Sequence, residues 1–378
     1  MREPRLNLKM RKLRTVKPDG RYLIYYGFGE RPKLPEDTGA AKALHQGSGA
    51  PPEPQMRWNP VLRQWGVVAS HRQERTFLPA EERCPFCPTR DPLRPTEIPA
   101  PDFDIVAFEN RFPSFVSSPS LPGETEDELY TARPARGVCE VVVYTPDHHA
   151  SVADLSVQQV RNLVEVWADR SQELGALEFV RYVLIFENRG EAVGVTLHHP
   201  HGQIYAFPYV PPAVEKELTS ARAHEEQTGR CLFCHVLERE VAEGVRLVLE
   251  SRHALVMVPF YARWPYEVHV FPRRHVTSLP ELSEEERMDL ARALKMLAGK
   301  YDNLFGFPFP YVMVVHQRPA DGADHGYYHL HFEFYPPHRT EDKLKYLAGV
   351  ELGAGTFLLD ATPEEKAREL RETPPHSV

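Results

Sequence analysis

Five cysteines in 378 residues are too few for the disulfide-stapled scaffold of a small secreted protein. Long apolar runs are missing too. No uninterrupted stretch approaches the ~18 residues of a membrane-spanning helix, so no membrane partner is expected. The basic N-terminus (Arg2, Arg5, Lys9, Arg11, Lys12, Arg14) lacks the apolar core of a secretory signal, and a cytoplasmic protein is expected. Basic charge is not in excess either. Subtracting 45 Lys+Arg from 53 Asp+Glu leaves −8, which argues against a nucleic-acid partner. What remains has an ordinary globular composition, long enough at ~150 residues per domain for two or three domains.

Proline and histidine are abundant. Much of the surplus in the 36 prolines falls in segments 32–56 and 86–122, where X-Pro steps shape loops. Histidines number 18, and four of the five cysteines form two short pairs, Cys84/Cys87 and Cys231/Cys234. In a chain without an export signal, such pairs point to metal or redox chemistry before disulfides. Cys139 has no partner in the pattern and reads as a core residue.

An internal repeat organises the chain. Glu140-Val-Val-Val-Tyr-Thr-Pro-Asp-His148 lies over Glu267-Val-His-Val-Phe-Pro-Arg-Arg-His275 without a gap. Downstream, Ser156 with Gln159 and Ser283 with Glu286 each form a capping box that opens a helix. The second helix carries Met288, Ala291, Leu294, Leu297 and Tyr301 on one apolar face. Then come β-rich runs, Tyr182–Phe186 and Tyr311–Val315, and a histidine pair in each half, His199-Pro-His201 and His329-Leu-His331. Upstream, Cys-Pro-Phe-Cys (84–87) answers Cys-Leu-Phe-Cys (231–234). The order predicts two copies of one α+β domain with mainly antiparallel sheet. The expected division is an N-terminal strand (Arg21–Tyr26) and mobile connector in 1–55, then domains 56–215 and 216–378.

Zinc takes four Cys/His ligands in a tetrahedron, and two cysteines on one turn supply half of them. In the first half His148 and His199 are the candidates to complete Cys84 and Cys87. The repeat predicts a second zinc set, Cys231, Cys234, His275 and His329. Both look structural, because four protein ligands leave no open position for substrate. Thioredoxin-like redox use is disfavoured, since neither pair clearly caps a helix. The densest histidine cluster is Leu197-His-His-Pro-His-Gly-Gln203. All three histidines there can be ligands or core groups. The sharper reading makes His201 a nucleophile whose neutral imidazole attacks phosphorus and holds the group as a phosphoramidate. Gln203 can bind phosphate oxygens or steer the imidazole.

The string Thr196-Leu-His-His-Pro-His-Gly-Gln-Ile-Tyr205, with Phe186-Glu-Asn-Arg-Gly190 and Phe334-Tyr-Pro-Pro337, resembles the galactose-1-phosphate uridylyltransferase family of the histidine-triad superfamily. The likeness runs from about Met56 to the C-terminal helix. It implies two tandem histidine-triad domains, usually in a homodimer, and a ping-pong exchange of galactose metabolism. UDP-glucose uridylylates a histidine and releases glucose 1-phosphate; galactose 1-phosphate then takes the UMP as UDP-galactose. The family's uridylylated histidine falls on His201, its assisting glutamine on Gln203, and its zinc ligands on Cys84, Cys87, His148 and His199. Substrate contacts would include Arg72, Arg75, Asn110, Asn188, Thr196 and, across a one-residue gap, Lys345. Taken alone, Arg72 and Arg75 are a solvated basic pair. An iron-type site of some members would fall on Glu217, His316, His331 and Glu333, the last standing where the familiar ligand is His. Read by itself, Glu217 fits an exposed helix charge equally well.

The nearest rival keeps the histidine and changes the partners, as a nucleotidyltransferase or phosphorylase acting on ADP-sugars or dinucleoside polyphosphates. A hydrolase and a non-enzymatic zinc module are rivals of other classes.

Overall fold

The computed structural model describes residues 9–30, 32–35, 53–119, 127 and 129–376. Most of the expected connector, residues 36–52, lies outside them. In chain order the strands are β1 (Arg11–Val16), β2 (Tyr22–Gly27), β3 (Gln55–Asn59), β4 (Gln64–Val68), β5 (Ile105–Glu109), β6 (Ala132–Pro134), β7 (Val138–Val143), β8 (Tyr182–Arg189), β9 (His201–Phe207), β10 (Leu247–Glu250), β11 (Ala254–Met257), β12 (Val268–Pro272), β13 (Tyr311–His316) and β14 (His331–Tyr335). The helices that bear on the sites are α1 (Val157–Gly175), α2 (Pro212–Thr228), α3 (Leu232–Glu243) and α4 (Glu284–Phe305).

The contacts divide the chain into two compact units. The first comprises Met1–His149, Leu177–Arg181 and Thr196–Tyr209. Its main sheet has the order β1-β2-β5-β7-β9, antiparallel throughout, beside a small sheet β4-β3-β6. β7 (Val-Cys-Glu-Val-Val-Val) is buried at every position, so it reads as a continuous β-branched run instead of alternating. Leu23, Tyr25, Phe103, Phe108, Val141 and Val143 close one core, and Cys84 and Phe86 pack into it. The first Cys-x-x-Cys turn is thereby pinned to the sheet. Cys139 is buried with Met56, Phe115 and Ala135, a core position as expected.

The second unit comprises Ala150–Ala176, Tyr182–Val195 and Val210–Val378. Its sheet runs β8-β13-β14-β12-β11-β10, again antiparallel. Both capping boxes form as the sequence predicts. Ser156 accepts from the Gln159 amide at the start of α1, and Ser283 from the Glu286 amide at the start of α4. Of the expected α4 face, Ala291, Leu294, Leu297 and Tyr301 are buried and Met288 is half-buried. Equivalent elements of the two repeats pack on each other here: α1 lies along α4, and β8 pairs with β13. Division by contact therefore differs from division by repeat, because α1 and β8 find their partners in the second repeat. Among the described residues no helix is long and apolar enough to cross a membrane.

Candidate active site and metal centres

β9 alternates, with Gly202, Ile204 and Ala206 buried and His201, Gln203 and Tyr205 on the opposite face. That face opens into a pocket lined also by Arg72, Arg75, Asn110, Arg111 and Thr196. His201 Nδ1 lies 2.7 Å from the His199 carbonyl, which can only accept, so Nδ1 carries the proton and Nε2 keeps its lone pair. Burial lowers the imidazole pKa and favours that neutral form. The Phe86 ring meets the imidazole edge-on, 4.9 Å between centroids. Both facts suit a nitrogen nucleophile. Gln203 Oε1 accepts from Asn110 Nδ2 at 3.4 Å, and Asn110 Oδ1 accepts from the Phe112 amide at 2.8 Å.

Arg72 is more than a solvated charge. Its guanidinium donates to the Phe112 carbonyl at 2.7 Å and to the Tyr205 hydroxyl at 3.3 Å, which fixes it in the pocket wall. Burial and the neighbouring Arg72 charge lower the pKa of Arg75. Two guanidiniums close together, with no carboxylate bonded to them among the described residues, form a site for phosphate oxygens. The structure thus brings His201, Gln203, Arg72, Arg75, Asn110 and Thr196 to one pocket. Asn188 and Lys345 belong to the second unit. Asn188 lies on β8 opposite Val312. Lys345 is buried, with its ammonium 3.0 Å from Glu351 Oε1 and bonded to the Leu358 carbonyl. Glu97 and Arg111 also line the pocket. Glu97 sits in a proline-rich stretch with no periodicity to flag it, and Arg111 belongs to the repeat match of Glu109-Asn-Arg111 with Glu250-Ser-Arg252, which does not by itself mark a pocket residue.

Cys84, Cys87, His148 and His199 present four ligand atoms all within 4.8 Å of one another. Cys87 Sγ is 3.4 Å from His148 Nδ1 and 3.5 Å from His199 Nδ1. A tetrahedral zinc with ~2.3 Å bonds to sulfur and ~2.05 Å to nitrogen would separate S from N by about 3.6 Å. The donor set and spacing therefore fit that ion. His199 Nε2 donates to the Thr145 carbonyl at 2.8 Å, which turns the Nδ1 lone pair toward the sulfurs. Burial, with the neighbouring Cys84 sulfur, pushes the Cys87 thiol up to about 12; a bound cation would reverse that.

The second set repeats this arrangement. Cys231, Cys234, His275 and His329 cluster within the same limit, with Cys234 Sγ 3.4 and 3.5 Å from the two Nδ1 atoms. His275 and His329 donate their Nε2 protons to the Gly326 and Pro272 carbonyls at 2.8 and 3.0 Å. One expectation needs correction. Cys231 is the N-cap of α3, so this pair does sit at a helix start. Its sulfur is held far below the usual thiol range, chiefly by the Cys234 hydrogen bond, with His275 and His329 contributing. The two histidines beside it make a four-ligand cluster, which a dithiol redox site does not need.

Glu217, His316 and His331 form a third group that could hold a cation. Glu217 is no free helix charge. It accepts from His316 Nδ1 at 2.9 Å and from the Tyr328 hydroxyl. Glu333, expected as the fourth ligand, stands outside this group, 3.6 Å from His316, 3.5 Å from His331 and 3.3 Å from His269. Burial opposes charge on His316, but Glu217 and Glu333 more than offset it and raise its pKa to about 9. A proton there and a metal ion are alternative ways to balance two carboxylates. His269 and Glu267 complete the cluster at 3.0 Å, and the alternating Glu267-x-His269 that leads into β12 was the sequence signal for them.

Comparison with known proteins places the chain in a family. Residues 51–211 match the family described as galactose-1-phosphate uridyl transferase, N-terminal domain, and residues 217–377 its C-terminal domain. A galactose-1-phosphate uridylyltransferase of Thermotoga maritima is 44% identical over 84% of this chain and 98% of its own length. One from Streptomyces lividans is 37% identical over 96% and 98%. A solved structure described as a uridylyltransferase superposes with TM-score 0.75 at 39% identity, covering 84% of this chain and 98% of its own. On two matched domains and relatives of this similarity, the chain belongs to the galactose-1-phosphate uridylyltransferase family.

Proposed function

We propose that the protein exchanges UMP between UDP-glucose and galactose 1-phosphate through a uridylyl-histidine on His201. His201 Nε2 attacks the α-phosphorus of UDP-glucose; the N–P bond forms as the bond to the β-phosphate oxygen breaks, and glucose 1-phosphate leaves. A phosphate oxygen of galactose 1-phosphate then attacks the same phosphorus, the N–P bond breaks, and UDP-galactose departs. The observation that carries this reading is the His201 tautomer, with Nδ1–H on a carbonyl and Nε2 free in a pocket that holds two arginines. Phosphoryl transfer asks mainly for positioning and positive charge, which Arg72, Arg75 and Gln203 supply. Asn110 and Thr196 would contact the nucleotide, and Asn188 and Lys345 are proposed as further substrate contacts.

In this reading zinc fills the two Cys/His sets and supports the fold, tying the Cys-x-x-Cys turns to the loops beside β7, β9, β12 and β14 that carry the histidines. Glu217, His316, His331 and Glu333 would take iron or zinc, since oxygen and nitrogen donors suit either. Residues 1–55 would form an N-terminal appendage to domains 56–215 and 216–378, in a cytoplasmic homodimer. The test is incubation with UDP-glucose labelled in the α-phosphate. Acid-labile, base-stable label that is discharged by galactose 1-phosphate is expected; an unlabelled protein defeats the proposal.

A further inference from the structure

The match to the family's N-terminal domain begins at residue 51, so β1 and β2 lie outside it. They nevertheless extend the sheet that carries His201, with β2 antiparallel to β5, Leu23 opposite Phe108 and Tyr26 opposite Ile105. The turn between β1 and β2 delivers two cations to the pocket wall. Lys17 is buried and donates its ammonium to Glu97 Oε2. Arg21 donates to the same oxygen at 2.8 Å and to the Glu109 carbonyl at 3.0 Å. Glu97 is buried too and lines the pocket, and its other oxygen is 3.8 Å from the Arg111 guanidinium. Arg111 is 69% exposed. Burial alone would raise the Glu97 carboxyl pKa, but Arg21 and Lys17 outweigh it and hold the group ionised.

The charge count decides what this does. Lys17, Arg21, Asp19 and Glu97 sum to zero, with Arg21 also bonded to Asp19 at 2.9 Å. Remove one hairpin cation and the cluster carries −1 beside Arg111, whose nearest acid would then be an under-compensated carboxylate. A guanidinium paired in that way is a poorer partner for phosphate.

We propose that Lys17 and Arg21 are positioning residues of the transfer pocket, neutralising Glu97 so that Arg111 binds the phosphate of the nucleotide substrate. This rests on the reading of the pocket as the site of uridylyl transfer. It assigns a role to a hairpin that the matched domain does not include.

The test measures UDP-glucose KM and kcat, UMP affinity by calorimetry, and melting temperature on the full chain. Lys17→Met keeps the apolar stem and removes the charge. It should raise KM and the UMP Kd about tenfold and leave kcat within about twofold. Arg111→Ala should match that loss, and adding Lys17→Met to it should change little further. Glu97→Gln in the Lys17→Met background should restore affinity, because a neutral amide needs no counter-charge. Unchanged affinity in Lys17→Met, or a loss that Glu97→Gln does not repair, overturns the proposal. Should Lys17→Met not fold, Arg111→Ala decides alone, since an exposed side chain is removed; full UMP affinity there is fatal. A wild type that binds no UMP and takes no label sinks the uridylyl reading instead, so the two failures are distinguishable.

Discussion

His201 and His331 are the same device in different surroundings. Each opens its strand two residues after a histidine of a Cys/His cluster, and each donates Nδ1–H to that histidine's carbonyl, at 2.7 and 2.9 Å. Each packs on the phenylalanine of its own Cys-x-x-Cys turn, Phe86 at 4.9 Å and Phe233 at 5.0 Å. Two residues on, the halves part: Gln203 in one, Glu333 in the other. His201 is half-buried and faces arginines, while His331 is 1% exposed and faces Glu333 and Glu217. The backbone makes a neutral imidazole with a directed lone pair both times. Access and the sign of nearby charge decide whether phosphate can reach it.

The hardest blow to that contrast would come from exchanging the histidines' fates. His201→Ala should cost about a thousandfold or more in turnover and abolish the covalent label, whereas a folded His331→Ala should still be labelled. Label on His201→Ala would merge the two halves again. Next in size are the cysteine clusters, where the halves are alike. Cys84→Ser and Cys231→Ser should each remove one zinc per chain, with stability losses on the order of several kcal/mol. Elemental analysis showing loss in only one variant would make the likeness superficial.

Swapping the divergent position sharpens the comparison further. Gln203→Glu sets a carboxylate beside incoming phosphate and should lower kcat/KM about a hundredfold without unfolding the chain. Glu333→Gln should leave activity largely intact but cost about 3 kcal/mol in chemical denaturation, because His269 and His316 lose a buried counter-charge. The smallest effect separates the capping boxes. Arg274 holds the Glu286 carboxyl down to about 2, with help from the Ser283 amide, while Gln159 at the equivalent place cannot titrate. Its stabilisation is present above the unfolded carboxyl range near ~4.5 and is lost as pH falls through about 2. Glu286→Gln should remove about 1–2 kcal/mol of that acid-dependent stability, discounted because Arg274 is half-exposed. Acid titrations of the two proteins that coincide would refute it.

Much of this was legible along the chain because it is local or periodic. The two capping boxes depend on residues three apart, and the Cys-x-x-Cys turns and His-x-His pairs on residues two or three apart. The gapless match of Glu140–His148 to Glu267–His275, with the same order of Cys-x-x-Cys before it and His-x-His after it, then carried the ligand set of one half to the other. Glu97 gave no such signal, and Lys17 reaches it across 80 residues of sequence. Cys231 looked uncapped because α3 begins on an apolar Leu-Phe with no Ser, Thr, Asp or Asn before it.

Residue order along the chain is enough to establish the repeat, the Cys and His residues that could hold a metal, and which histidine has a glutamine two residues on. Which histidine meets solvent follows from folding in space. The packing of a short 3-10 turn and of α2 against the sheets, not local pattern, puts Arg72 and Arg75 beside one imidazole and Glu217 beside the other. Likewise, α1 and β8 leave their own repeat because α4 and β13 offer them matching apolar faces. Charge proximity and packing of this kind depend on distance in space, which spacing along the chain does not encode.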